Sequence, residues 1–195
     1  MIATGGWHSA KKVCVIGAGT MGSGIAAHLA NLGFQVSLLD LNREGTAAAL
    51  DRAKNGRSPH FYVPERAADI RIGSIGENEA WIREADWVCE AIIEKMDAKK
   101  QLFAQIQPHI RPDAMVSTNT SGLEISLLAE GMSASIRQRF LGTHFFNPPR
   151  YLKLLELIPT AETAPEVIKA SSAFLEDSVA RRVVLAKDTA GFIAN

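Results

Sequence analysis

Short apolar runs alternate along the chain with stretches whose apolar residues recur at helical spacing. The runs are Val13 to Ile16, the run ending in Asp40, Ile70 to Ile75, Trp87 to Ile93, Met115 to Thr118, Phe140 to His144, Leu154 to Ile158 and Val183 to Ala186. Between them, helical patterns lead up to Gly33 and cover Arg43 to Lys54, Glu77 to Glu84 with Trp81 and Ile82 inward, Asp97 to Gln107, Ser126 to Glu130 and Pro165 to Asp177. Asp97 reads as a helix cap. Strands that alternate with helices predict an α/β protein with a Rossmann-type, doubly wound, mostly parallel sheet. Residues 1–10 lack periodicity and read as a mobile leader, in which Trp7 and His8 carry no argument. The domain is expected over residues 11–190. Arg57 to Asp69, rich in proline and mixed charge, reads as an irregular connection with a solvent-exposed His60.

The first run feeds directly into Gly17, Gly19 and Gly22, a helix follows, and Asp40 closes the next run. This is the full context of the dinucleotide fingerprint. Gly17 allows the tight turn, Gly19 lets backbone amides approach a pyrophosphate, and Gly22 lets the helix pack against the strand. The helix start, with Thr20 and Met21, then forms an anion site. Asp40 would accept hydrogen bonds from the ribose hydroxyls and repel a 2′-phosphate, so NAD is favoured over NADP.

Composition narrows the partners. Lys and Arg number 21, Asp and Glu also 21, and the zero formal net charge recommends neither nucleic acid nor an anionic membrane. Cys14 and Cys89 lie in apolar runs, which gives no disulfide framework and no metal cluster and suits a reducing cytoplasm. MIATGGWHSA has neither a basic n-region nor a long apolar h-region, and no stretch approaches the ~20 apolar residues of a membrane span.

Ligands of open α/β sheets bind at the carboxyl ends of strands, and Ser121, His144 and Glu156 fall at such ends or just inside the strands. An acid inside an apolar strand is costly without a partner, and a histidine ending the neighbouring strand is a natural one. A carboxylate on one ring nitrogen would fix the tautomer and leave the other as a general base. The spacing equally allows a satisfied structural histidine and an edge-strand acid facing solvent.

The segments GAGTMGSGIAAHLANLG, EAIIEKMDAKKQLF, STNTSGL, FLGTHFFNPPRYLKLLELI and KDTAGFIAN resemble the amino-terminal domain of the L-3-hydroxyacyl-CoA dehydrogenases. PPRYLKLLELIP is particularly similar to the dehydrogenase part of bacterial multifunctional β-oxidation proteins. The resemblance implies NAD as cofactor and 3-hydroxyacyl-CoA and 3-oxoacyl-CoA as substrate and product. It implies His144 as catalytic base, Glu156 as the acid that orients it, Ser121 beside both nicotinamide and substrate, and Asn195 near the reacting carbonyl. Glu94, Lys99 and Asn147 would line the NAD site.

Two features depart from that family. Its long helices between the second and third strands are replaced by the short Arg43 to Asp69 region, where Arg52, Lys54 and Arg57 supply charge but none is assigned to CoA. Its helical carboxy-terminal domain, which closes the cleft and makes the homo-oligomer, is absent, so residues 191–195 are expected to open the linker to it. A non-catalytic NAD-binding module and a dehydrogenase of another small hydroxy acid are the rival readings.

Overall fold

The sheet runs from an edge built late in its first half to an edge built last. In the computed structural model, which describes residues 7–193, the strands are β1 (Lys12–Ile16), β2 (Gln35–Asp40), β3 (Arg71–Ser74), β4 (Trp87–Glu90), β5 (Met115–Thr118), β6 (Phe140–Phe145), β7 (Leu154–Pro159) and β8 (Arg182–Leu185). Their order is β3-β2-β1-β4-β5-β6-β7-β8. The chain winds outward from β1 to β3, then returns to place β4 on the other side of β1. That reversal opens a crevice at the carboxyl ends of β1 and β4.

Every neighbouring pair is parallel except β6 and β7, which are antiparallel. The reason is the connection. Residues 146–153 are too few for the crossover that a parallel return needs, which takes about a dozen residues or more.

Side chains alternate across the sheet into two cores. Val13, Val15, Trp87 and Cys89 face α1 (Thr20–Asn31), α2 (Arg43–Asn55) and α7 (Pro165–Asp177). Cys14, Ile16 and Val88 face α3 (Glu79–Glu84), α4 (Met96–Ile106), α5 (Ile125–Ala129) and α6 (Ala134–Arg137). Trp87 sits at the centre of the first core, stacked on Phe145 at 6.4 Å and edge-on to Phe174 at 5.8 Å.

The structure corrects several local expectations. Residues 7–10 are not a loose leader: Trp7 lies in a 3-10 helix (Trp7–Ser9), is 3% exposed, and donates its Nε1 hydrogen to the Asp113 carbonyl at 2.8 Å. The rest of the expected leader, residues 1–6, lies outside the described residues. α4 is capped at Lys95, and Asp97 sits in its first turn, where its charge suits the helix dipole. The Arg57 to Asp69 connection holds a 3-10 helix (Pro64–Asp69) and a buried Phe61, and His60 is half-buried rather than exposed. No helix among the described residues is long and apolar enough to cross a membrane.

Candidate active site

The turn after β1 is made by positions that exclude side chains. Gly17 has φ +106°, and a Cβ there would lie 2.5 Å from the Ala91 carbonyl oxygen. A Cβ on Gly22 would lie 1.7 Å from the Gly17 carbonyl oxygen, so α1 can sit this close to the turn only with glycine. Gly19 differs: nothing stands within 4 Å of its missing Cβ. It is the N-cap of α1, and no side chain caps that end, so the first helical N–H groups face open space.

That space is a cleft of about 920 Å³, lined by Gly17, Gly19, Thr20, Met21 and Asp40 with an apolar wall that includes Ile75 and Leu102. Asp40 is fixed at its rim: Oδ2 accepts from the Ala18 N–H at 2.6 Å and Oδ1 from the Leu41 N–H at 2.7 Å. Open backbone donors for a pyrophosphate, a rim carboxylate for a ribose and apolar walls for a base fit an adenine dinucleotide.

Glu94, Lys99 and Ser121 do not line this cleft but meet beside it, at the ends of β4 and β5. Glu94 Oε1 accepts from Thr120 Oγ1, from the Ser121 N–H at 2.7 Å and from the Gly122 N–H at 3.1 Å. Lys99 is fully buried, with Nζ 3.7 Å from Glu94 Oε2 and 2.6 Å from Glu90 Oε1. Glu90 is the member that the sequence reading missed. Its signal was present, because it is an acid inside the apolar run Trp87 to Ile93, as Glu156 is in its own run.

The base and its partner come together across the hairpin. His144 on β6 stands directly opposite Glu156 on β7, and both are buried, 5% and 2% exposed. Nδ1 of His144 lies 2.7 Å from Glu156 Oε2, which excludes the solvent-facing reading of the acid. The ring packs against Phe146 and Phe192 with centroids at 4.6 and 5.9 Å. Asn147 follows on the exposed connection, joined to Pro148 by a cis peptide bond. Asn195 lies outside the described residues.

A second buried cluster holds the 148–152 connection. Arg181 donates from one terminal nitrogen to the carbonyls of Pro149 and Leu152, both at 2.8 Å, and its other lies 2.9 Å from Nε2 of His28 on α1. Burial, and then the Arg181 cation, lower the His28 pKa to about 4. Burial pushes both thiols, Cys14 and Cys89, up to about 12, so they are inert apolar fillers. Among the described residues no group of three His, Cys, Asp or Glu is placed to hold a metal.

Residues 12–189 match the family model described as 3-hydroxyacyl-CoA dehydrogenase, NAD binding domain. The chain is 45% identical over 192 residues to the "Probable 3-hydroxyacyl-CoA dehydrogenase" of Deinococcus radiodurans, covering 95% of this chain and 56% of that one. It is 33% identical over 166 residues to the glyoxysomal fatty acid beta-oxidation multifunctional protein of Cucumis sativus, covering 81% of this chain and 22% of that one. The crystal structure of (S)-3-hydroxybutyryl-CoA dehydrogenase from Ralstonia eutropha superimposes with a TM-score of 0.78 at 29% identity, over 95% of this chain and 66% of that one. The chain thus spans about half the length of the first relative and less of the second. The glycine turn, the rim acid and the histidine–glutamate hairpin accordingly belong to a member of the 3-hydroxyacyl-CoA dehydrogenase NAD-binding domain family.

Proposed function

We propose that this domain carries the cofactor site and the general base of an oxidoreductase that converts (S)-3-hydroxyacyl-CoA and NAD into 3-oxoacyl-CoA, NADH and a proton, within fatty-acid β-oxidation. The observation that carries the reading is the 2.7 Å contact between His144 and Glu156 at the same sheet end as the dinucleotide cleft.

When bound, NAD supplies the hydride acceptor. Gly17, Gly19, Thr20, Met21 and Asp40 would hold its adenosine diphosphate half, and Glu94, Ser121 and Asn147 the nicotinamide half, with the buried Lys99 acting through Glu94. His144 donates its Nδ1 hydrogen to Glu156, which leaves Nε2 with a lone pair to take the substrate hydroxyl proton. Glu156 stabilises the imidazolium that results. Ser121, with Asn195, would position the oxygen as carbonyl character develops. Phe146 and Phe192 keep water from the ring.

Homo-oligomerisation through a helical domain beyond residue 191 and a cytoplasmic location complete the reading. Two buried free thiols favour the latter. The test follows NADH consumption with acetoacetyl-CoA. Turnover that needs His144 supports the assignment, and turnover of a free hydroxy acid without its CoA thioester would overturn it.

A further inference from the structure

Glu90 ends β4 with no exposure at all. Its Oε1 accepts from Lys99 Nζ and from the Ile92 N–H, both at 2.6 Å, and its Oε2 accepts from Thr118 Oγ1. A buried ion pair of this kind is seldom more stable than apolar residues of the same volume. Tying α4 to the strand would need only one carboxylate, yet a second, on Glu94, stands within 4 Å of the ammonium with its side chain 43% exposed. Glu90 draws Lys99 Nζ to 2.6 Å and leaves Glu94 at 3.7 Å. Among the described residues no other cation pairs with either acid, so one net negative charge remains, on the half-exposed Glu94. The N–H groups on Glu94 disperse that charge without cancelling it.

The sheet order says what meets this charge. Asp40 ends β2, the glycine turn follows β1, and His144 lies on β6, with β4 and β5 between them. A dinucleotide that reaches from Asp40 to the base must cross the ends of β4 and β5, with its nicotinamide end foremost. The nicotinamide is cationic when oxidised and neutral when reduced. We propose that the Glu90–Lys99–Glu94 triad sets the redox preference of the cofactor site, holding NAD more tightly relative to NADH than a neutral site would. Glu90 is a positioning residue here: by retaining Lys99 it prevents the ammonium from neutralising Glu94. The inference rests on the NAD site proposed beside His144.

The experiment is titration calorimetry of the 195-residue chain with NAD, NADH and ADP-ribose, for the unmodified chain, Glu90→Gln and Glu94→Gln. ADP-ribose carries no nicotinamide, so it reports the rest of the site. The expected result is a rise in the ratio Kd(NAD)/Kd(NADH) of roughly three- to tenfold in each variant, the scale of one unit charge across about 10 Å at an effective dielectric of roughly 30. ADP-ribose affinity should stay within about twofold in Glu90→Gln. An unchanged ratio in variants that still bind ADP-ribose overturns the inference. If Glu90→Gln does not fold, the half-exposed Glu94→Gln decides by the same ratio. Failure of the unmodified chain to bind any of the three would instead overturn the cofactor reading beneath it.

Discussion

Glu156 is held at both oxygens: Oε2 lies 2.7 Å from Nδ1 of His144, and Oε1 accepts the Ile193 N–H at 3.0 Å. A carboxylate pinned this way cannot rotate off the ring. His144→Gln should therefore lower kcat by about 10³-fold, within the range for loss of a general base, while NAD affinity stays within about twofold. Glu156→Gln keeps the shape and loses the charge, so kcat should fall by about 10²-fold with KM little changed. Steady-state kinetics with acetoacetyl-CoA and NADH, paired with NAD binding, would check both. Near-normal turnover of His144→Gln would refute the assignment.

Two glycines of the turn, Gly22 and Gly19, should respond differently to the same methyl group. Gly22→Ala would set a Cβ 1.7 Å from the Gly17 carbonyl oxygen, so the helix must move, and thermal stability and NAD binding should be lost together. Gly19→Ala meets nothing within 4 Å and should melt within a few degrees of the parent. Its methyl group points into the space a pyrophosphate would enter, so NAD affinity should drop by about tenfold or more. Equal losses of stability in the two variants, read by circular dichroism melts, would contradict this.

Asp40 should decide between the two nicotinamide cofactors. Its carboxylate stands at the cleft rim, anchored by the Ala18 and Leu41 N–H groups. Asp40→Asn keeps one acceptor oxygen and removes the charge, so NAD should weaken by about tenfold and NADP should bind better than it does to the parent. Calorimetric titration with both nucleotides checks the pair, and unaltered discrimination would rule out the ribose role.

His28 should make the fold acid-sensitive. Folded, it takes up a proton only near pH 4, because burial and Arg181 oppose the charge, whereas its ordinary value is 6.5. As pH falls from 6.5 toward 4, the unfolded chain binds a proton that the folded chain refuses, so stability is lost across that window and is unaffected by this group above it. The loss reaches up to about 3 kcal/mol. Urea melts at pH 7 and pH 4.5 should show it, and His28→Gln should flatten the dependence. An equally steep profile in that variant would assign the acid sensitivity elsewhere.

Features written in consecutive residues could be read before folding. The glycine turn depends on spacings within one strand and one helix, and the β6–β7 pair is separated by twelve positions, 144 to 156. Features made by distant residues could not be read. Trp7 is anchored by Asp113, and His28 by Val179 and Arg181, and no periodicity links those positions. Glu90 lies between these cases. Its place in an apolar run was visible, but its partner Lys99 resembles a solvated cation on a helix face until α4 is packed against the strand. The direction of β7 was equally hidden, since an apolar run does not say which way it is paired.

The antiparallel return of β7 also determines what protects the chemistry from error. Leu155 and Leu157, fully buried beneath α7, flank Glu156 on the opposite face of the strand. A slip of one position would bring a leucine across from His144 and force both the acid and its neighbours onto the wrong faces. Two side chains that never touch the imidazole thus hold the carboxylate in line with it.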